Sequence, residues 1–222
     1  MSNVKDIECF RYPKDLPIGS GYDGQVFPVL HADKFETDIS KDDWGVTSYV
    51  IKIFSNSLRF ESEVNALTYI AKYIPSHHSK LFPCIIASGT TSNNQQYIIM
   101  TRMHGTSLSD LMDAEEINMT RGVANEIRRH AQQAIDVLNS IKICHNDLVC
   151  CNVMVALKHG EIEVSQQKFD PLLHTVHVGF IDFGWAEIGS NSTDNLHDVD
   201  SALHTILFQN QMQVLHASAN IQ

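Results

Sequence analysis

Apolar residues recur along this chain with two different periods, and the change falls near residue 100. Before it, the apolar runs are short and bounded by turn-forming residues, as strands are. The runs 24–30 (GQVFPVL) and 47–54 (TSYVIKIF) are rich in β-branched and aromatic residues and predict strands. Pro28 lies inside the first. Proline has no N–H for a ladder, so a bulge or an early strand end is predicted there. Between the two runs, 31–45 is polar and charged and reads as a solvated loop or insertion. One helix interrupts the strands. Over 58–74, Phe60, Val64, Leu67, Ala71 and Ile74 form a single apolar stripe, and Pro75 ends it. The segments 84–87 (CIIA) and 96–100 (QYIIM) predict a hairpin across the polar turn 90–94. Gly105, Thr106 and Ser107 mark a boundary before a short helix carrying Leu108, Leu111 and Met112.

The second half is patterned for helices. From 120 to 143 the stripe Val123, Ile127, Ala131, Ala134, Ile135, Leu138 and Ile141 predicts a helix of about six turns. Short β-like pieces follow at 153–155, 162–164 and 175–182, and a last helix over 198–216. The segment 156–174 reads as a second loop insertion. A strand-rich part, a hinge near 101–105 and a helix-rich part result. The predicted fold class is α+β in two lobes, with domains 1–103 and 104–222.

Composition narrows the function classes. Hydrophobic residues are 43% and charged residues 19% of the chain, an ordinary globular balance. A formal charge of −10 argues against non-specific nucleic-acid binding, which needs Lys and Arg facing phosphates. Five cysteines without a CxxC pair fit neither a disulfide framework nor a zinc site. Free buried thiols in a reducing compartment are predicted instead. Of the 12 histidines, His77 and His78 follow a Pro-Ser step and read as an exposed loop. No apolar run approaches the roughly 20 residues of a membrane span, and 1–10 lack an apolar signal-peptide core. The expectation is a cytoplasmic or nuclear chain that is neither secreted nor membrane-bound.

Five pieces carry candidate chemistry. Residues 18–26 (IGSGYDGQV) match GxGxxGxV in full. Glycines let backbone amides approach and cap phosphate oxygens; a plain glycine-rich turn is the other reading. A strand follows the last glycine, which disfavours a dinucleotide-binding βαβ unit. Lys52 stands inside the apolar strand 49–54 and needs a partner if buried; otherwise it lies on the wet side of an edge strand. The helix after it offers Glu61 and Glu63. At about 100° per residue, Glu63 lies about 60° from the stripe centre and Glu61 about 100°, so Glu63 is the better partner for Lys52. Residues 145–152 (HNDLVCCN) place Asp147 and Asn152 among Leu, Val and Cys. Residues 179–184 (GFIDFG) end an apolar strand in Asp-Phe-Gly, where Asp182 could serve a metal ion. A turn or a cap is the ordinary reading of either piece alone.

In this order (glycine loop, VIK lysine, helix glutamate, HxDxxxxN, DFG) the pieces resemble the protein kinase superfamily, over roughly residues 16–207. The resemblance implies a bilobal protein-kinase-like fold, with a β-rich N-lobe and a reduced α-rich C-lobe, and a phosphoryl-transfer site. In it the loop 19–26, with Gly19, Ser20, Gly21, Tyr22, Asp23 and Gly24, would cover ATP phosphates, with Val26 against adenine, and Ile18 would also bind the nucleotide. Lys52 would hold the α- and β-phosphates and pair with Glu63. Met100 would stand near the gatekeeper position, and the backbone of 101–103, Met103 included, would meet adenine. Asp147 would take or orient the acceptor hydroxyl proton, and Asn152 and Asp182 would bind Mg²⁺.

Three departures from the family pattern matter. Asn146 replaces the usual Arg of the HRD triplet, which implies that phosphorylation within 185–197 is not the switch. Val149 stands where Ser/Thr kinases carry Lys. Between Gly184 and Asp198 there is no APE, and Asp198 (or Asp200) resembles the buried aspartate that opens the next helix. On the family pattern, the helices that dock protein substrates are expected to be missing from this sequence. These departures are similar to choline-kinase and aminoglycoside-phosphotransferase types and to the small kinase subunit of the KEOPS tRNA-modifying complex. The sequence therefore predicts an ATP- and Mg²⁺-dependent kinase of protein Ser/Thr. A phosphotransferase acting on a small hydroxyl acceptor and a pseudokinase scaffold are the alternatives, and there is room for a regulatory protein partner.

Overall fold

The computed structural model describes residues 4–7, 10–31, 47–114, 119–159, 162–163, 174–190 and 194–219. The core of the predicted insertion 31–45 lies outside them. The chain divides into two compact units. Unit 1 holds 1–73, 83–102 and 183–186; unit 2 holds 74–82, 103–182 and 187–222.

Unit 1 is built on one antiparallel sheet. Its strands are β1 (Val4–Ile7), β2 (Phe10–Pro13), β3 (Gly19–Gly21), β4 (Gly24–His31), β5 (Tyr49–Phe54), β6 (Ile85–Thr90) and β7 (Gln96–Thr101). Their spatial order is β1-β2-β4-β5-β7-β6, with β3 paired to β4. Successive side chains of a strand alternate between faces, and directly paired residues share one. One face carries Phe27, Val29, Ile51, Ile53, Tyr97 and Ile99, which bury themselves with Phe10 and Tyr12. The other face must then carry Val26, Val50, Lys52, Ile98 and Met100, because Lys52 pairs with both Val26 and Ile98 and Val50 with Met100. Helix α1 (Ser57–Tyr73) belongs to this unit and buries Glu63, Ala66, Leu67 and Ile70.

Two expectations are corrected here. No bulge or strand end marks Pro28, which pairs with Val50 within an unbroken β4. Val26 offers its carbonyl away from β5, to the Ile18 amide, so Pro28, two residues on, turns its nitrogen to that same side. There β3 has ended at Val26 and β2 begins only at Leu30, so no ladder bond is forgone. The buried face of α1 is also rotated from the predicted stripe. Ala71 is exposed and Phe60 and Val64 are only half-buried, because Glu63 occupies the centre of the face instead of its flank.

Unit 2 combines helices with a small sheet. After a 3₁₀ turn (Ser76–Leu81) and β8 (Thr106–Ser107) come α2 (Leu108–Asp113) and α3 (Arg121–Ser140). Ser107 and Thr120 cap them by accepting from the amides of Asp110 and Val123. Then follow β9 (Ile143–Cys144), β10 (Val153–His159), β11 (Ile162–Glu163), β12 (His174–Phe180), β13 (Glu187–Ile188) and α4 (His197–Ala219). The apolar stripe of α3 is buried at Val123, Ile127, Ala131, Ala134, Ile135 and Leu138, and α3 packs on β12. Gly105 adopts φ +111° and a Cβ there would lie 2.3 Å from the Val155 carbonyl oxygen, so the tight approach of β8 to β10 demands glycine.

Three further readings change. The predicted loop 156–174 is partly sheet, since β10 runs to His159 and pairs along one edge with β11 and along the other with β12 from His174; residues 160–161 and 164–173 lie outside the described ones. His77 and His78 sit in the 3₁₀ turn with rings 4.0 Å apart. Of the described thiols only Cys144 is buried; Cys150 is half-buried, and Cys84 and Cys151 are exposed, all of them free. Among the described residues no helix is long and apolar enough to cross a membrane.

Candidate active site

In unit 1 the glycine-rich segment is a hairpin, β3 to β4, turning at Tyr22 and Asp23. Ile18 is exposed at its entrance, as are Gly19, Ser20, Gly21 and Tyr22. Ser55 pins the turn from behind. Its amide donates to the Asp23 carbonyl at 3.0 Å and its hydroxyl to the Tyr22 carbonyl at 3.1 Å. The glycines differ in their reasons. A Cβ on Gly24 would lie 2.1 Å from the Ile53 carbonyl oxygen, so the fold itself requires glycine there. A Cβ on Gly19 would meet only Val26 at 3.8 Å, and one on Gly21 nothing within 4 Å.

Lys52 is 4% and Glu63 0% exposed, and Lys52 Nζ donates to Glu63 Oε2 at 2.7 Å. The pair stands on the sheet face that also carries Val26 and Met100. Glu61 is exposed. A buried ion pair contributes little net stability, since desolvation offsets most of the attraction. Its presence here therefore points to use of the charges.

In unit 2 the loop 145–152 is held from several sides. Asp194 Oδ2 accepts from the His145 amide at 2.5 Å and Asp194 Oδ1 from the Asn146 amide at 3.0 Å. The aspartate engaged here is Asp194, not Asp198 or Asp200, which the sequence offers as the buried aspartate opening the next helix. Asp198 is half-buried in the first turn of α4, and Asp200 forms a two-pronged surface pair with Arg128 instead. Pairing of β9 with β13 fixes the chain just before the loop. His145 Nε2 faces the Ile181 carbonyl at 3.0 Å; because that oxygen only accepts, this nitrogen carries the proton. The Ile181 amide donates to the Asn152 carbonyl at 3.0 Å. Asn152 and the strand end before Asp182 are thereby stitched together.

Asn146 and Asp182 both adopt left-handed backbone, at φ 61° and 64°. Asn and Asp are the non-glycine residues that enter that region most readily, because their short polar side chains can hydrogen-bond locally. The Asn146 side chain is engaged locally, its Oδ1 accepting from the Cys144 thiol at 2.8 Å. Asn152 Nδ2 donates to the Asp147 carbonyl at 2.9 Å and to its Oδ2 at 3.1 Å. That commits the amide nitrogen and leaves the amide oxygen, which is within 3.8 Å of the Cys151 thiol, as the group that could serve a metal ion beside Asp182. Two hard oxygen donors fit Mg²⁺, which is bound by one or two protein oxygens together with phosphates and water. Among the described residues there is no group of three or more His, Cys, Asp or Glu that could hold a metal ion. Met103 packs on Gly179, where any Cβ would collide with its Cε.

The electrostatics of the loop follow from its burial. Desolvation pushes the His145 imidazole below its ordinary value of 6.5, while the Ile181 carbonyl and the Asp194, Asp182 and Asp147 carboxylates pull it upward. The Cys151 thiol is pushed up, first by burial and then by Cys150 and Asp147; it stays protonated and is no nucleophile at neutral pH.

The sequence model of the protein tyrosine and serine/threonine kinase family matches residues 14–195, a span that contains every one of these groups. The chain belongs to that family. No curated protein matches it. Family membership makes the chain a kinase domain of α+β class and a phosphotransferase by kind.

Two predictions arise within this kinase domain. Asp194→Ala is expected to cost about 2–3 kcal/mol, because it removes a charged acceptor from two backbone amides. Asp198→Ala is expected to cost only about 0.3–1 kcal/mol, the worth of an acid in a first helical turn. Denaturant titration of both variants checks the ranking, and equal losses would return the anchor to Asp198. The second concerns pH. His145 has a lowered pKa in the folded chain, so between that value and about 6.5 the unfolded state binds more protons. Its contribution is complete above pH 6.5 and is lost as pH falls through this window. His145→Gln is expected to flatten the fall of the melting temperature between about pH 7 and 5; an unchanged slope would contradict a neutral buried imidazole.

Proposed function

We propose that this kinase transfers the γ-phosphoryl group of Mg²⁺-bound ATP to a hydroxyl of protein Ser or Thr, and that its catalytic and binding residues are those named from the motifs. The observation that carries the reading is the buried Lys52–Glu63 pair at 2.7 Å. It supplies an oriented ammonium where little stability is gained from having one.

Residues 1–103 act as the N-lobe and 104–222 as the C-lobe. Ile18 and Val26 flank adenine, which also meets the backbone of 101–103 beneath Met100. Gly19, Ser20, Gly21, Tyr22, Asp23 and Gly24 form the phosphate cover. The glycine identities of Gly19 and Gly21, which the fold does not require, support close approach by a ligand. Lys52 holds the α- and β-phosphates. Asp147 receives the acceptor's proton, oriented by the Asn152 amide. Asn152 and Asp182 hold Mg²⁺, which when bound neutralises charge on the phosphates. Each of these groups acts by placing charge before the reaction begins, so little reorganises as the phosphoryl group moves.

Val149, where a lysine is expected for a Ser/Thr acceptor, favours a second reading: a small hydroxyl compound as acceptor. Free thiols and the absence of an apolar span among the described residues support residence in the cytoplasm or nucleus. Transfer from γ-labelled ATP, followed by identification of the labelled residue, tests the proposal. Phosphoserine or phosphothreonine is expected. Phosphotyrosine, or label on amino alcohols or aminoglycosides, would replace the acceptor class. ATP binding without transfer would favour the scaffold or point to a required protein partner.

A further inference from the structure

Arg59 lies one helical turn before Glu63 on α1, and three groups converge on its guanidinium. Its Nη1 donates to the Gly184 carbonyl at 3.3 Å. Its Cζ lies over the ring of Trp185. Its Nε stands 3.8 Å from Asp23 Oδ1, and both atoms are buried with no hydrogen-bond partner. Three residues on, Ser62 Oγ donates to the Ala186 carbonyl at 2.9 Å. The helix that presents Glu63 to Lys52 therefore also fastens 184–186, with side chains spaced i, i+3 on one face. All these residues belong to unit 1.

The chemistry suits Arg and no other residue. A planar guanidinium can stack on an indole while its edge donates to a carbonyl and its charge faces a carboxylate; an ammonium can do only one of these well. The Asp23 carboxylate, 7% exposed at the turn of the glycine hairpin, needs a cation nearby. Trp185 is 46% exposed, so burial alone does not hold its ring in place.

We infer that Arg59 is a positioning residue: one guanidinium ties the turn of the glycine hairpin and the segment following Asp182 to the helix carrying Glu63, and so sets the active arrangement without phosphorylation in 185–197. The inference rests on the proposed roles of Lys52 and Asp182. Gly184 is two residues from Asp182, which holds a left-handed backbone at φ 64°. Loosening the anchor at Gly184 frees the peptide units that aim the Asp182 carboxylate. Asp23, Trp185 and the Gly184 carbonyl are all encoded in the chain, so no added phosphate is needed to hold Arg59.

The test compares wild type with Arg59→Met and Arg59→Lys in a Trp44→Phe background, where Trp185 is the remaining tryptophan of the two. Arg59→Met is expected to lower kcat about ten- to hundredfold, the range a remote misplacement can cause. It should raise the Mg²⁺ concentration for half-maximal rate while the KM for ATP moves little, and Arg59→Lys should fall between. Independently of turnover, acrylamide quenching of Trp185 and amide exchange over 183–186 should increase in Arg59→Met. A folded Arg59→Met with unchanged quenching and exchange, or with an unchanged Mg²⁺ requirement, overturns the inference. If Arg59→Met does not fold, Trp185→Ala carries the test, a raised Mg²⁺ requirement supporting the inference and an unchanged one overturning it. If wild type transfers no phosphate, the proposed function fails, and quenching and exchange still decide the role of Arg59.

Discussion

Lys52→Met is expected to lower phosphate transfer about a hundred- to a thousandfold, and also to destabilise the fold. The first effect follows from removing the buried ammonium proposed to hold the α- and β-phosphates, where one lost preorganised donor costs about 10²–10³ in rate. The second follows from Glu63, which is fully buried. Removing one member of a buried pair leaves an uncompensated charge and costs about 3–5 kcal/mol. The two losses separate in the double variant. Lys52→Met with Glu63→Gln should regain most of the stability, because the orphaned carboxylate is gone, but none of the activity. Denaturant midpoints and single-turnover transfer on the three variants check this. Stability unchanged in the single variant would contradict the buried pair, and retained transfer would take Lys52 out of the site.

Asp147→Asn is expected to leave the fold close to wild type and to lower kcat about 10²–10⁴-fold, the usual worth of a positioned proton acceptor. The replacement is isosteric. Asn152 Nδ2 can still donate to the backbone carbonyl of residue 147, at 2.9 Å in the native loop, and to a side-chain oxygen in the same place. Only the charge and the basicity are lost. The KM for ATP should therefore move little while kcat falls. A KM that rises with kcat unchanged would mean that residue 147 binds nucleotide instead of serving the acceptor.

The parts of the site that were legible in the sequence are those where chemistry conflicts with local pattern. Lys52 in an apolar strand, Glu63 on a helix flank, and Asp147, Asn152 and Asp182 among Leu, Val and Cys all stand out as polar groups that need a reason. Asp194 does not. It lies in the polar run 190–195, where an acid reads as a turn residue, and its partners are backbone amides of His145 and Asn146, nearly fifty positions earlier. A side chain that serves a distant backbone leaves no periodicity and no complementary side chain to find. The α1 stripe was misread for a related reason. Hydrophobicity alone centres it near Phe60 and Leu67, but the ion pair with Lys52 draws Glu63 inward and rotates the buried face. Pro28 shows the opposite error. The rule that proline ends strands is local, and it was overridden because β2 and β3 leave that stretch of β4 without a partner on one edge. The extension of β10 and its pairing with β11 and β12 are hidden by polar composition, which describes solvent exposure as readily as it describes a loop.

The central claim is that this kinase's own Lys52, Asp147 and Asp182 move the γ-phosphoryl group of ATP to a protein hydroxyl. The most direct measurement is Mg²⁺-dependent transfer of γ-label to protein by the purified chain, beside Asp147→Asn at equal concentration. The account predicts label on Ser or Thr with wild type and a loss of about 10²–10⁴-fold with the variant. Equal labelling by the two proteins, or bound ATP with no transfer by either, would contradict it.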